Sequence, residues 1–324
     1  MLSTYARIIG TGRYLPEKIL TNRDLEQMVE TSDQWIRDRT GICQRHIAAD
    51  DQTTCDLAEQ AALEALADAG IKPGEIDLLL VGTTTPDVVF PSTACLLQHR
   101  LGLGECGAFD INAACSGFIY ALSVADQYIR NGTARNVLIV GAETLTRMVD
   151  WNDRSTCVLF GDGAGAAVLT ADDEPGILST HIHANGGYGD LLKVDVGVSR
   201  GFEAEERGGL SIQMRGNEVF KVAVNTLGRI VDETLAANQL DKTDLDWLIP
   251  HQANLRIIKA TARKLKMPME RVIVTVDRHG NTSAASVPMA LDEALRSQRI
   301  RRGDRLLLEA FGGGFTWGAA LIAY

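Results

Sequence analysis

The sequence predicts an α/β fold made of two duplicated halves, stacked as helix, sheet, helix, sheet and helix layers. Three observations carry this. Short apolar runs such as Asp77–Val81 and Asn136–Val140 lie between amphipathic helices, the pattern of strands covered on both faces. The chain repeats itself at an offset of 169 residues. Its 324 residues, 45% apolar and 23% charged, have the size and composition of a globular protein with a large core.

The repeat defines the elements in order. In the first half, an amphipathic helix and a polar turn lead into a buried strand in AALEALADAGIKPGEIDLLLVG (Ala61–Gly82). Its partner without a gap is IVDETLAANQLDKTDLDWLIPH (Ile230–His251), where Glu64 meets Glu233, Leu66 meets Leu235 and Asp77 meets Asp246. At the same offset Asn112 meets Asn281, and the strand NVLIVG (Asn136–Gly141) meets DRLLLE and Ala310. The predicted halves span residues 1–173 and 174–324, joined near Thr170–Ile177. Ligands in such sheets bind beyond the carboxyl ends of the strands. Cys115, His251 and Asn281 all follow strand ends, Cys115 and Asn281 at the equivalent turn of each half.

Composition excludes several functions. A net charge of −10 argues against nucleic acid as a partner and suits a cytoplasmic enzyme. The start MLSTYARIIGTG has neither a charged region nor an apolar core of signal-peptide type, and no apolar run reaches membrane-spanning length. The cysteines at 43, 55, 95, 106, 115 and 157 form no C-x-x-C pair, so neither a zinc site nor a dithiol redox site is expected. His46, His99, His181 and His183 read as structural side chains. His181 and His183 share a strand face, but no third ligand accompanies them, so no metal is expected. The glycines of IIGTGRYL and CVLFGDGAGAAVLT lack the strand–glycine–helix order that holds a pyrophosphate, which argues against a nicotinamide-dependent dehydrogenase.

The stretch INAACSGF sets Cys115 among small residues, at the junction between a strand and the helical run GFIYALSVADQYIR. A cysteine at a helix start is expected to have a lowered pKa and a reactive thiolate. The small neighbours leave room for an acyl group on sulfur. In EAFGGGFTWG (Glu309–Gly318), three successive glycines favour a backbone site that offers N–H groups to a ligand over a simple turn. In TSDQWIRDRTG, Thr31-x-x-Gln34 reads as a capping box, and Trp35 and Arg39 share the face of the helix it starts. The helix NLRIIKATARKLKM carries Arg256, Lys259, Arg263 and Lys266 on one stripe, a basic patch against the chain's overall sign. The loop 199–211 is polar and glycine-rich and is expected to be mobile.

Taken together, GTG-x-YLPE, TSDQWIRDRTGI, the Cys115 turn, FGDGAGAAVL, NEVFKVAV, HQANLRI, RHGNTSAASVP and AFGGGFTWG closely resemble the β-ketoacyl-(acyl carrier protein) synthase III family, over essentially the whole chain. The resemblance implies a thiolase-like fold. It also implies a decarboxylative Claisen condensation of a short acyl-CoA, acetyl-CoA foremost, with malonyl-acyl carrier protein, the step that starts type II fatty acid synthesis. By the same resemblance Cys115 is the acyl-carrying nucleophile, with the backbone N–H groups of Cys115 and Gly313 as oxyanion donors. His251 and Asn281 serve decarboxylation. Thr31, Trp35, Arg39, Arg154, Phe220 and Asn254 would meet CoA. Gln252, Ala253, Asn254, Leu255, Arg256 and Lys221 would meet the acidic carrier protein. Phe90 and Phe311 would bound the acyl pocket, with Phe90 entering it from the partner of a homodimer. The CoA thioester is a substrate, and no cofactor is implied. Asparagine at 281 sets the chain apart from elongating synthases, which have histidine there. The alternative is a starter synthase of the same fold serving a secondary-metabolite pathway.

Overall fold

The computed structural model describes residues 4–200 and 209–324. Residues 201–208 of the loop expected to be mobile lie outside the described residues.

Strands β1 (Tyr5–Tyr14), β2 (Leu78–Gly82), β3 (Gly107–Ile111), β4 (Asn136–Thr144) and β5 (Asp162–Asp172) form a five-stranded sheet in the order β1-β5-β4-β2-β3. The pairs of β2 with β3 and β4 are parallel, while β5 runs antiparallel to β1 and β4. Strands β6 (Ile177–Ala184), β7 (Trp247–Pro250), β8 (Arg305–Gly312) and β9 (Thr316–Ala323) form a four-stranded sheet in the order β7-β8-β9-β6. Both β2 and β4 are buried along their whole length, which explains their unbroken apolar runs.

The helices include α1 (Asp33–Thr40), α2 (Thr54–Ala69), α3 (Gly117–Arg130), α4 (Gly216–Ala237), α5 (Leu255–Leu265) and α6 (Ser286–Arg296), and a further helix, Thr93–Leu101, packs beside α2 on the first sheet. Helices α3 and α6 touch strands of both sheets and form the middle layer. Phe118, Ile119 and Leu122 of α3 join Val287, Ala290 and Leu291 of α6 in one buried cluster. Helix α2 covers the outer face of the first sheet. Helix α4, with α5 beside it, covers the outer face of the second. The predicted five layers are present.

The sequence repeat is a structural repeat. Strands β4 and β8 begin at equivalent positions, and so do α3 and α6. Each of these helices is preceded by a single tight turn, Ala114–Ser116 in one half and Ser283–Ala285 in the other. Asp77 accepts hydrogen bonds from the amides of Arg135 and Asn136 at 2.8 and 2.9 Å, and its counterpart Asp246 accepts from the amide of Arg305 at 2.8 Å. The two turns interlock across the halves. A Cβ on Gly141 of β4 would lie 2.2 Å from the Ala284 carbonyl oxygen, and one on Gly312 of β8 would lie 2.5 Å from the Cys115 nitrogen. Only glycine permits these approaches. Among the described residues, no helix is long and apolar enough to cross a membrane.

Candidate active site

Cys115 sits in the Ala114–Ser116 turn between β3 and α3, and the helix proper begins two residues later at Gly117. Ala114 has φ 47°, a left-handed conformation that costs a non-glycine residue about 1–2 kcal/mol. The turn is held from the second half. Thr316 Oγ1 donates to the Ala113 carbonyl at 2.6 Å, and Ser116 Oγ donates to the Thr316 carbonyl at 3.0 Å.

His251 follows β7, and its amide donates to the Glu309 carbonyl at 2.8 Å. Its Nδ1 lies 2.6 Å from Ser286 Oγ, which also accepts from the Gln252 amide at 3.3 Å. A hydroxyl that accepts from that amide has its own proton free for Nδ1, which leaves the imidazole proton on Nε2. Asn281 is pinned by three bonds. Its amide donates to the Leu159 carbonyl at 2.8 Å, and its carbonyl accepts from Gly161 at 3.0 Å. Its Oδ1 accepts from the Ser283 amide at 2.9 Å. With Oδ1 engaged, the amide presents Nδ2 as its donor end.

The Ser283–Ser286 turn therefore gathers the site: Ser283 lines the same cavity as Cys115 and orients Asn281, while Ser286 orients His251. Cys115, Gly313, Thr84, Asn112 and Ser283 line a cavity of about 370 Å³. Leu145, Met148, Phe160, Leu192 and Ile212 form its apolar wall. His251 and Asn281 are 6% and 7% exposed.

Electrostatics depart from the expectation for the nucleophile. Burial, opposed by the nearby Ser283 hydroxyl and helped by the Glu143 charge, pushes the Cys115 thiol up to about 12. The thiol is desolvated and lies ahead of the helix, so burial outweighs the helix dipole. Burial likewise pushes His251 down to about 3, which keeps its ring neutral.

Several of the residues expected to meet CoA contact one another. Arg39 and Arg154 both stack on the Trp35 indole, with guanidinium carbons 4.7 and 4.9 Å from the ring centre. The cap of α1 is Ser32, whose Oγ accepts from the Trp35 amide at 3.1 Å, and not Thr31 as the spacing suggested. Gln34 donates to Asp38 instead, and the buried Thr31 hydroxyl has no hydrogen-bond partner among the described residues. Asn254 caps α5 and donates to the Arg39 carbonyl at 3.1 Å, tying the basic helix to α1. Phe220 of α4 lies under the Arg256 guanidinium at 5.3 Å. Arg256, Lys259 and Arg263 are exposed, as is Lys221, while Ala253 and Leu255 are half-buried. Lys266, also exposed, ends α5 in a left-handed cap.

Two expected contacts are corrected. Gln252 is 1% exposed, and its amide bonds Pro250, Ile273, Thr275 and Val276, so it holds loops together and cannot reach a docking protein. Phe311 packs 4.5 Å from the Phe315 ring, in a cluster with Ala223 and Leu227 of α4, outside the wall of the cavity. Its strand position turns it toward α4, while Gly312 faces Cys115. Phe90 is 83% exposed and does not line its own chain's cavity. His181 and His183 both face Glu233, with contacts of 3.4 and 2.9 Å.

Sequence reasoning missed Ser283, Ser286 and Glu143. Ser283 stands at the offset from Ala114 and Ser286 at the offset from Gly117, so carrying the repeat one turn further would have found both. Glu143 is an acid within the buried run NVLIVGAET, a position that calls for a specific partner.

Two family models cover much of the chain: the 3-oxoacyl-[acyl-carrier-protein (ACP)] synthase III model matches residues 109–186, and its C-terminal companion matches residues 235–324. A β-ketoacyl-[acyl-carrier-protein] synthase III of Xanthomonas campestris is 68% identical over 99% of this chain and 98% of its own. The chain belongs to the β-ketoacyl-[acyl-carrier-protein] synthase III family. It is thus a condensing enzyme of the acyltransferase class. The family's Thioalkalivibrio sulfidiphilus member is 65% identical over 99% of this chain and the whole of its own. The crystal structure of 3-oxoacyl-[acyl-carrier-protein] synthase III from Aquifex aeolicus superposes with a TM-score of 0.93 at 50% identity, over 98% of this chain and 100% of that one. The priming β-ketosynthase of the R1128 polyketide pathway gives a TM-score of 0.94 at 37% identity, over 99% and 96%.

Proposed function

We propose that this family member condenses a short acyl-CoA, acetyl-CoA foremost, with malonyl-acyl carrier protein through an acyl-Cys115 intermediate. The observation that carries the reading is the Ser283–Ser286 turn, which bonds Asn281 and His251 and lines the cavity of Cys115. The Cys115 thiolate attacks the acyl-CoA carbonyl, and CoA leaves as its thiolate. The amides of Cys115 and Gly313 are the proposed donors to the tetrahedral oxyanion. Malonyl thioester then loses CO2, and the enolate oxygen accepts from His251 Nε2–H and Asn281 Nδ2. Neutral donors suit this step, since a carboxylate at either position would repel the developing charge. The enolate carbon attacks the acyl-Cys115 carbonyl and the thiolate leaves. Each step uses side chains and substrates alone, with no metal or redox cofactor.

The Trp35 indole with two guanidiniums beside it suits an adenine with its phosphates. The exposed stripe Arg256, Lys259 and Arg263 suits an acidic carrier protein. Phe90, Val89 and Val88, at 83%, 63% and 46% exposed, form an apolar ridge that supports a homodimer with Phe90 entering the partner's cavity.

Intact-protein mass spectrometry after mixing with acetyl-CoA, and then with longer acyl-CoAs, tests the first step. An adduct lost in Cys115→Ala and discharged by malonyl-acyl carrier protein supports the reading; no adduct with any acyl-CoA overturns it. A starter synthase of a secondary-metabolite pathway is the second reading, favoured by the close match to the R1128 priming ketosynthase. Discharge of the acyl-enzyme by a different malonyl thioester, and not by the fatty acid carrier protein, would select it.

A further inference from the structure

Arg45 lies on the strand Gln44–Ile47, which pairs with Lys18–Thr21, and its side chain is wholly buried. Burial pushes the guanidinium down to about 10, so it stays charged at neutral pH. A buried cation is costly, and an apolar side chain of similar volume would often be at least as stable. The hydrogen bonds of this one therefore call for a reason. Its acceptors are neutral and come from two distant segments. One terminal nitrogen donates to the Leu20 carbonyl at 3.1 Å and to Asn22 Oδ1 at 2.9 Å, and the other donates to the Val158 carbonyl at 2.8 Å.

Both segments lead to residues of the site. Val158 adjoins Leu159–Gly161, the stretch whose backbone clamps Asn281 on either side. A Cβ on Gly161 would lie 3.0 Å from the Arg45 Cβ, and one on Gly280 would lie 3.1 Å from it, so the arginine stem packs against both strands of that clamp. On the other side, Asn22 is 1% exposed, and its Nδ2 donates to Asp33 Oδ1 and to the Ile42 carbonyl, both at 2.8 Å. Asp33 stands in the first turn of α1, and Ile42 follows the Gly41 cap at its far end. Asn22 thus grips both ends of the helix that carries Trp35 and Arg39.

We propose that Arg45 is a positioning residue for both substrates: it fixes the placement of Asn281 through Val158 and, through Asn22, it seats the α1 helix. This rests on the proposed function, in which Asn281 donates to the enolate while Trp35 and Arg39 meet CoA. Arg45 does not line the cavity, so it acts through these neighbours and not on substrate. Its planar fork holds the donors in fixed directions, so one group sets the spacing between the two segments. A displacement of about 1 Å at a positioned group can cost about 10²-fold in rate, which makes that spacing a kinetic matter.

The test compares full-length wild type, Arg45→Lys and Asn22→Asp, with every rate expressed per Cys115 labelled at saturating acyl-CoA. Lysine keeps the charge, but its single ammonium cannot span both segments. Arg45→Lys is expected to lower kcat for malonyl-carrier protein decarboxylation by at least about fivefold and to raise KM for acyl-CoA by at least about threefold. Asn22→Asp keeps an acceptor for Arg45 and removes the donor to α1. It is expected to raise KM for acyl-CoA by about the same factor, with decarboxylation within about twofold of wild type. A folded Arg45→Lys with wild-type kcat and KM per labelled site overturns the proposal, even with a lower urea midpoint, because a solely structural arginine would give that result. Decarboxylation lost equally in both variants overturns it too. If Arg45→Lys does not fold, Arg45→Gln, which buries no charge and still donates to one segment, decides by the same criteria. A wild-type enzyme that takes no acyl group from any acyl-CoA overturns the proposed function itself, and that result is read before either variant is made.

Discussion

Ala114 and Ser283, at equivalent positions of the two halves, hold the same left-handed backbone, with φ of 47° and 48°. The residue after one is Cys115, and the residue after the other is the small Ala284. The same turn thus presents the Cys115 sulfur in one half and, in the other, Ser283 on the wall of the same cavity.

The strain at Ala114 predicts a sharp dependence on side-chain branching. Ala114→Val should destabilise by about 1–3 kcal/mol and slow acylation, because a β-branched residue resists this conformation. Ala114→Gly should stay within about 1 kcal/mol of wild type, since relief of strain is offset by a more flexible unfolded chain. Urea unfolding reads both, and a wild-type midpoint for Ala114→Val would refute the argument.

Ser286 orients His251 without facing the substrate. Ser286→Ala should leave acetyl transfer to Cys115 intact while lowering malonyl decarboxylation by roughly tenfold. His251→Ala and Asn281→Ala should lower decarboxylation by about 10²–10³. Equal losses in acylation and decarboxylation for Ser286→Ala would mean a structural role only.

Trp35 contributes through stacking and not through chemistry. Trp35→Ala should raise KM for acyl-CoA by roughly 3- to 30-fold, corresponding to about 0.5–2 kcal/mol of cation–π and stacking energy, with kcat little changed. Steady-state kinetics with carrier protein at saturation checks this. A fall in kcat at constant KM would contradict it.

The basic stripe on α5 predicts a substrate-specific defect. Arg256→Glu should raise KM for malonyl-carrier protein by tenfold or more, and most strongly at low salt, while malonyl-CoA decarboxylation stays unaffected. An equal loss with both malonyl donors would remove the stripe from docking.

Stability should depend on pH in a defined direction. Burial pushes His251 and His279 down to about 3, so below about pH 6.5 the unfolded chain binds protons that the native chain refuses. Stability therefore falls as pH falls, by about 1.4 kcal/mol per unit for each histidine. Glu309 opposes them: burial pushes its carboxyl up to about 8, and the native chain keeps a proton that the unfolded one loses above about pH 4.5. Burial also raises the carboxyls of Asp110, Asp126, Glu143, Asp162 and Asp292, which oppose the histidines in the same direction as Glu309. Urea unfolding at pH 7 and pH 5 in wild type and His279→Gln isolates the histidine: the variant should lack the part of the acid destabilisation that His279 contributes. An unchanged slope in that variant would show that His279 already protonates in the fold.

Much of this was legible in one dimension because it depends on local order and on periodicity. The repeat of Asp77 in Asp246, and of the strand after Gly70 in the strand after Asn238, follows from hydrophobic spacing alone. The short turns at Cys115 and Asn281 are marked by small residues at the same offset. The α1 cap was misread by one residue, as Thr31 and Ser32 are both competent caps and only the chain's path chooses between them. Gln252 was misjudged because the two directions in which its side chain could point look alike in sequence.

The sequence by itself determined the duplicated α/β architecture, the family, and the residue types Cys115, His251 and Asn281. Only the tertiary structure decided what surrounds them: that Cys115 is buried and its thiol pushed up, and that Ser283 and Ser286 orient the other two. Pattern and propensity are properties of neighbours along the chain. Desolvation and hydrogen-bond direction arise between strands and turns more than a hundred residues apart, so they exist only once the two halves have packed together.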